Sequence, residues 1–435
     1  MSQLVEATAT SKVQPWTLPL LLVFTLWTVV LFNPDVWLAV HGATFIPQIP
    51  PLLYLLLALL IALQAPGQVW YPPLLVFVAS AAVMIPFAEN TGFPRALVLK
   101  VFLLYYILAI GTLTFVNSVG KTTLLLHLFL LQFLWWSFHA SFEGRVAWHA
   151  DLGNEDAFGP IMAIGMGYCY YFGMAARRRS LRLVAFLLSI LCAIGVVASF
   201  ARGAMLSAVL VLLYVWFRSP QKARTLAALA VCVVAFLVAA HMLFPEGQFW
   251  EEMSTLSSQG IEKEMSQGRG PFWKMAWVAF LEHPFFGVGA GNFGLFAMEN
   301  FSKVPEMTLH YSPNHLWGWQ IHSLYLQLLS EFGLIGTIAF AAMVIDFWRR
   351  NAQLRTEQFL SAWSRATQYR FNLSMLSLGL EAAMVGFLAN GFFYNQLYIH
   401  WFYSLIVVNA VLHSNARRIL QPEISDASNK IVRPQ

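Results

Sequence analysis

The sequence predicts an all-α polytopic membrane protein of about twelve transmembrane helices, with one large loop on the side away from the cytoplasm. Three observations carry this. Hydrophobic residues make up 58% of the chain and charged residues only 11%, where a soluble domain usually holds about 25% charged residues. Apolar runs of roughly the 17–25 residues needed to cross a hydrocarbon core recur from end to end. Basic residues concentrate in alternate connections between those runs, as the positive-inside rule requires of cytoplasmic loops.

In order, the candidate spans are residues 16–33, 50–64, 71–88, 98–117, 121–138, 157–175, 181–199, 203–217, 223–243, 322–347, 372–394 and 397–414. The first begins at Trp16 and has no small-residue cleavage pattern after it, so it reads as a retained helix. With the N-terminus inside, the inside connections hold 18 of the 26 Lys and Arg residues. They include Arg177, Arg178, Arg179, Arg182, Arg349, Arg350, Arg417 and Arg418. Both termini are therefore expected in the cytoplasm. The eight outside are Arg95, Lys100, Arg145, Arg202, Lys263, Arg269, Lys274 and Lys303. Three sequence units follow: N-terminal helices over 1–140, a core over 141–347 containing the outer loop 244–321, and C-terminal helices with a cytoplasmic tail over 348–435.

The heavy use of Phe (36) and Trp (16) suits lipid-facing surfaces and interfacial belts. The bilayer is thus the main partner, and the net charge of +5 gives no reason to expect nucleic acid. Cys169, Cys192 and Cys232 each lie in an apolar run, which reads as packing rather than a disulfide framework or a metal cage. No internal repeat is evident.

The outer loop is too long for a turn. Within it, Pro271 to His283 reads as an amphipathic helix, because Trp273, Trp277, Phe280 and Leu281 fall on one face and Pro271 suits a first turn. Phe272 and Met275 lie off that stripe. Such a helix would lie on the membrane surface. Gly287-Val288-Gly289-Ala290-Gly291 is a flexible turn, since no strand precedes it and no nucleotide-binding unit can form.

The outer basic residues oppose the charge rule, so they are candidates for function. Arg202 sits in a very short connection at the membrane boundary, and a guanidinium fork matches phosphate oxygens. A snorkelling role is its structural alternative. Arg269 lies just before a helix start, where backbone N–H groups also favour anions. Arg145 shares a connection with Glu143 and with Asn154-Glu155-Asp156. His322 opens the tenth span, where a histidine can stay near neutral and accept a proton. His310 and His315 are weaker candidates. On a regular helix, Glu331 lies about 13 Å below His322 and on the opposite face. Glu331 and Glu381 suit function or helix packing equally.

These residues resemble the O-antigen ligase and polymerase superfamily. The resemblance rests on Arg269, Trp273, Ala276, His283-Pro284, Gly287-Val288-Gly289 and Asn292-Phe293. It continues through His322-Ser323-Leu324-Tyr325-Leu326-Gln327 to Gly336. Ala201-Arg202-Gly203-Ala204 is similar to that family's Ser-Arg-Gly element, and Asn154-Glu155-Asp156-Ala157-Phe158 to its acidic element. The resemblance covers roughly residues 140–340. The His322-Ser323 pair, where His-Asn is commoner, is closer to the exosortase-associated O-glycosylation ligase branch.

The resemblance implies a GT-C-like membrane glycosyltransferase in the bacterial inner membrane, with its site on the periplasmic face. Its donor would be a glycan linked to a polyprenyl diphosphate such as undecaprenyl diphosphate. Its acceptor would be a glycan, lipid or protein hydroxyl, as in lipopolysaccharide or exopolysaccharide synthesis. No cofactor, metal or nucleotide sugar is implied. His322, Arg202 and Arg269 are the expected catalytic residues. Arg145, Asn154, Asp156 and Gln327 join the two arginines as expected substrate contacts. The chemistry fits these residue types: positioned charges stabilise a departing diphosphate, and a histidine base activates a hydroxyl. A polymerase would use the same donor. A lipid-linked glycan transporter is the reading from another class, and would need polar residues along several spans and a repeat between halves.

Overall fold

The computed structural model describes residues 17–40, 49–64, 71–141, 143–147, 149, 152–227, 230, 268–313, 316, 320–367 and 371–432. Most of the ninth predicted span, together with Cys232, Lys263 and His315, lies outside these residues. Every other predicted span is helical. We number the main helices α1 (Leu18–Phe32), α2 (Pro34–Val40), α3 (Ile49–Gln64) and α4 (Pro72–Val83). Next is α5, built from Gly92–Leu97, a π-helical turn Val98–Phe102 and Leu103–Phe115. Then come α6 (Val119–Ala140), α7 (Glu155–Ala175), α8 (Arg179–Ala198), α9 (Arg202–Arg218), α10 (Arg269–Glu282) and α11 (Phe293–Glu299). The last are α12 (Leu324–Leu354), α13 (Leu373–Asn390) and α14 (Trp401–Val432). Among the described residues the only β-type pairing is an isolated bridge between Ala176 and Phe371.

Helices α6, α8, α12 and α13 are each long and apolar enough to cross a membrane. The pair α1 and α2, bent by 59°, makes a fifth candidate if taken together. This is an all-helical membrane protein. The described helices fall short of twelve such spans because several are short: α3 has 16 residues and α4 has 12. Helix α7 differs for another reason. It is rich in glycine and nearly all its residues are buried by neighbouring helices, so it needs no lipid-matching side chains.

Helix α7 packs against α8, α9 and α13. Small residues let these backbones approach. A Cβ on Gly167 would lie 2.9 Å from both Ala382 of α13 and Val211 of α9. Gly386 faces Ala163 and Gly379 faces Tyr171, so α7 and α13 run antiparallel. Cys169 and Cys192 are buried free thiols, as their apolar context implied.

The connections after α7, α9 and α12, all assigned to the inside, share one end of this bundle. There Asn372 donates its N–H to Ala175 (3.0 Å), and Arg182 to Ala176. Glu381, 1% exposed, accepts from Arg355 (2.7 Å), Arg218 (2.9 Å) and Tyr214. That cluster gives Glu381 the packing role, and it ties the end of α9 and the middle of α13 to Arg355 just past α12.

At the opposite end, residues 268–321 have a small core of their own, including Phe272, Met275, Phe293, Phe296, Met307 and Ile321. Helix α10 begins at Arg269, two residues before the expected start. Its buried face is Phe272, Met275, Ala276 and Ala279. The expected stripe is largely outward: Trp277 is 48% and Leu281 60% exposed. Both faces are therefore apolar, which is why the sequence stripe looked imperfect.

Helix α12 departs from regularity. Leu328–Phe332 is a π-helical turn, and Gly333 follows with φ +62. In an unbroken helix the N–H groups of Leu334 and Ile335 would bond the carbonyls of Ser330 and Glu331. Instead they bond Pro284 O (2.8 Å) and Phe285 O (3.1 Å). The two vacated carbonyls accept from Val288 N (2.8 Å) and Gly289 N (3.1 Å). The segment 284–289 is thus inserted into the helical ladder. A Cβ on Gly287 (φ +72) would sit 2.4 Å from the Glu331 carbonyl carbon, and one on Gly333 2.4 Å from that of Phe285. The glycine run is not a flexible turn: the N–H groups of Gly287, Val288, Gly289 and Gly291 are paired, and neither its first glycine nor Gly333 opposite admits a side chain.

Candidate active site

Three helices, α7, α9 and α10, begin at that same end, each close to a residue singled out in the sequence. At α7 the cap is Asn154, whose backbone is extended and whose side-chain oxygen accepts from Asp156 N at 2.9 Å. This is N-cap geometry, so the Asn154 side chain is committed to starting the helix. Asp156, in the first turn, accepts from Arg269 Nη2 at 3.2 Å. Their side chains are 35% and 17% exposed, so the pair is accessible at its edge. It joins the starts of α7 and α10.

Arg202 is the first residue of α9. The turn before it is tight. Phe200 has φ +50, a conformation uncommon for a non-glycine residue. The Ser199 hydroxyl donates to Val196 O at 2.7 Å and accepts from Ala201 N at 3.3 Å. This turn lies against α7, because a Cβ on Gly159 would meet Ser199 Oγ at 2.4 Å and Ala204 at 2.6 Å. The 143–147 connection closes over it. Gly144 (φ +71) sits so near that a Cβ would lie 1.9 Å from Ala198 O. The adjacent Arg145 is exposed, at the rim.

His322 precedes α12 with φ +54, again left-handed. Such conformations persist where surroundings hold them, and they cluster at functional sites. Its N–H donates to Asn395 Oδ1 at 3.2 Å. Its ring centre lies 6.4 Å from that of Tyr394. Ser323 caps the following turn by accepting from Leu326 N, and Leu324 N donates to Gly391 O at 2.7 Å. On its other side, Ile321 O accepts from the Trp273 indole at 3.1 Å. Trp273 is one turn along α10 from Arg269, so this bond fixes the Arg269 helix against the His322 corner.

The loop 390–396 completes the arrangement. Gly203, next to Arg202, faces Phe393 and Asn390, while Tyr394 and Asn395 face His322. The segments that carry Arg202, Arg269, Asp156 and His322 are therefore linked at this end through shared neighbours. Arg145 stands at its edge. Gln327 does not reach it: the side chain is 2% exposed and donates to Glu331 at 3.2 Å, inside the protein. Glu331 is likewise internal. It accepts from Tyr398 and from Phe293 N (3.4 Å), while Tyr398 accepts from Gly291 N at 3.0 Å. Glu331 anchors the inserted segment and not His322, and the π-turn makes the regular-helix offset between them inapplicable.

Sequence reasoning missed Trp273, Tyr394 and Asn395 as parts of this site. The signal for Asn395 was its place in the two-residue gap between the predicted spans 372–394 and 397–414; Tyr394 fell inside the first of these and gave none. Trp273 was visible as a stripe member, but its bond to Ile321 was not. Among the described residues no group of three or more His, Cys, Asp or Glu side chains could hold a metal ion.

Arg202, Arg269 and Asp156 each lie in the first turn of a helix at this end, and residues 187–341 match the O-antigen ligase family model. The chain carries an O-antigen ligase superfamily domain. The match spans Arg202, Arg269 and His322, and ends two residues after Ala339 in α12. Arg145, Asn154 and Asp156 precede the matched region of this ligase-type domain, and the 390–396 loop follows it. No curated protein matches the sequence.

Proposed function

We propose that the protein is a membrane glycosyltransferase of the O-antigen ligase type. It moves a glycan from a polyprenyl diphosphate to an acceptor hydroxyl at the periplasmic face of the bacterial inner membrane. In this reading twelve helices cross the membrane, both termini are cytoplasmic, and residues 141–347 form the catalytic core. The observation that supports it is that Arg202, Arg269 and His322 lie on linked segments at one end of the bundle, all inside the family-matched segment.

The roles follow from the chemistry. His322 accepts the acceptor's hydroxyl proton. The freed oxygen bonds to the anomeric carbon as the bond from that carbon to the diphosphate oxygen breaks. A single displacement of this kind inverts the anomeric centre, and the polyprenyl diphosphate leaves with the electron pair. Arg202 and Arg269 stabilise the charge that develops on it. Asp156 orients Arg269, Asn154 fixes the start of α7 beneath it, and Arg145 assists from the rim. The twisted His322 backbone, held by Asn395 and Trp273, keeps the ring in position before substrate arrives.

Purified protein in lipid vesicles, given a polyprenyl-diphosphate glycan and a hydroxyl acceptor, tests this. Transfer should fall by about 10²–10⁴ in His322→Ala, with a comparable loss in Arg202→Ala. Full activity in both folded variants would falsify the assignment. The product accumulated by a deletion strain distinguishes ligase from polymerase, which share the donor. Movement of the lipid across vesicles without transfer would favour a transporter.

A further inference from the structure

We infer that the corner His283–Gly287 is re-entrant: it dips into the acyl region of the leaflet on the site's side, with Phe285 and Phe286 in contact with lipid. The argument starts from length. Helix α12 has 31 residues, so at 1.5 Å per residue it is about 46 Å long. The hydrocarbon core is about 30 Å, roughly 20 residues. The far end of α12 carries Arg349 and Arg350, and Arg350 pairs with Asp346 at 2.7 Å. Charges of this kind mark a membrane boundary. Counting about 20 residues back from Arg349 places the other boundary near residue 329. That lies in the π-turn Leu328–Phe332.

The inserted segment pairs with α12 below that level. Leu334 and Ile335 bond Pro284 and Phe285, so these residues sit about 8 Å inside the hydrocarbon. Irregular backbone is tolerated there only when its polar groups are satisfied by protein. The corner meets that demand at three of its carbonyls. The carbonyls of His283, Pro284 and Phe285 accept from Gly287, Leu334 and Ile335 at 2.8, 2.8 and 3.1 Å, and Pro284 has no N–H to satisfy.

The side chains agree. Phe285 is 64% and Phe286 41% exposed, and such large apolar exposure calls for an occupant. They are continuous with the outward residues of the spanning helix itself, Leu334, Ile335 and Ile338. The occupant of that surface is lipid. Trp277 and Leu281 extend the patch up α10, where an indole suits the interface. The same count puts His322 about 10 Å above the boundary, at headgroup height. On the transferase reading, that is where the diphosphate of a membrane-anchored donor lies.

The test is depth measured by spin label, with no activity readout, so it stands apart from the transferase reading. In a background with Cys169, Cys192 and Cys232 changed to Ala, Phe286→Cys is labelled with a nitroxide. The protein is placed in phosphatidylethanolamine–phosphatidylglycerol vesicles. Ile338→Cys serves as the lipid reference and Lys303→Cys as the aqueous one. We expect the Phe286 label to favour collision with oxygen over a water-soluble nickel reagent, at about 8 Å inside the hydrocarbon boundary. Nickel accessibility matching Lys303→Cys would overturn the inference. If Phe286→Cys does not fold, Phe285→Cys lies at the same depth and decides between the same two outcomes.

Discussion

Tyr398→Phe isolates the contact that holds the inserted segment in place. The hydroxyl donates to Glu331 and accepts from Gly291 N at 3.0 Å. The ring stays, so no cavity forms. Two effects remain: one hydrogen bond is lost at about 1 kcal/mol, and the part-buried Gly291 N–H loses its partner at about 1–2 kcal/mol, the lower part of the range for a buried donor. Gln327 and Phe293 N still hold Glu331, so we take about 2–3 kcal/mol for local opening of the Gly287–Phe293 turn. At about 1.4 kcal/mol per factor of ten, the open population rises about 30- to 150-fold. Amide hydrogen exchange read by mass spectrometry measures this directly, because Val288, Gly289 and Gly291 all donate backbone bonds here. A peptide covering these amides should exchange faster by that factor, with α7 peptides unchanged. Less than about a threefold change would refute the view that Tyr398 and Glu331 pin the insertion.

Two further outcomes follow from the same end of the molecule. Asp156→Asn keeps the cap bond from its backbone to Asn154 but removes the charge facing Arg269; the partly exposed pair contributes about 0–1 kcal/mol to stability, so melting should barely move while transfer falls, and an unchanged rate would remove Asp156 from the site. Glu89 hydrogen-bonds Glu299 on α11, and that neighbour raises its pKa to about 7. The folded protein therefore holds this proton between about 4.5 and about 7 while the unfolded chain releases it, so stability is present at low pH and is lost as pH rises through 7. Exchange at residues 88–92, corrected for the intrinsic pH dependence, should accelerate across that window, and Glu299→Gln should flatten the response.

Much of this was legible in the sequence, for physical reasons. Apolar runs must be helical in lipid, so the helices sit where hydropathy put them. The alternation of basic connections also works spatially: Arg218 and Arg355 meet at one end, Arg269 and His322 at the other. What could not be read was anything set by contacts between distant segments. The break in α12 leaves Ser330 and Glu331 carbonyls to Val288 and Gly289, more than forty residues upstream, and a helical period cannot reveal it. Gln327 looked available from its place five residues after His322, yet the turn directs it to Glu331. Both faces of α10 are apolar because one meets protein and the other is outward; a single stripe was the wrong template. Tyr394 and Asn395 reach the site only because α13 ends beside Gly203.

The placement of the two arginines carries a final argument. Each is the first residue of its helix, Arg202 of α9 and Arg269 of α10. A helix N-terminus bears a partial positive charge, so a cation there is unfavourable by about 0.3–1 kcal/mol. Both also lie on the side that the charge rule leaves poor in Lys and Arg. Asp156 offsets part of this for Arg269, and it is itself well placed in the first turn of α7. For stability alone, a neutral residue at either position would serve better. The same geometry becomes favourable once an anion occupies the region, because helix termini and guanidinium groups then attract it together. A departing diphosphate is such an anion, and its charge is greatest as the bond breaks. The positions that cost the empty protein stability are the ones that would stabilise the transition state.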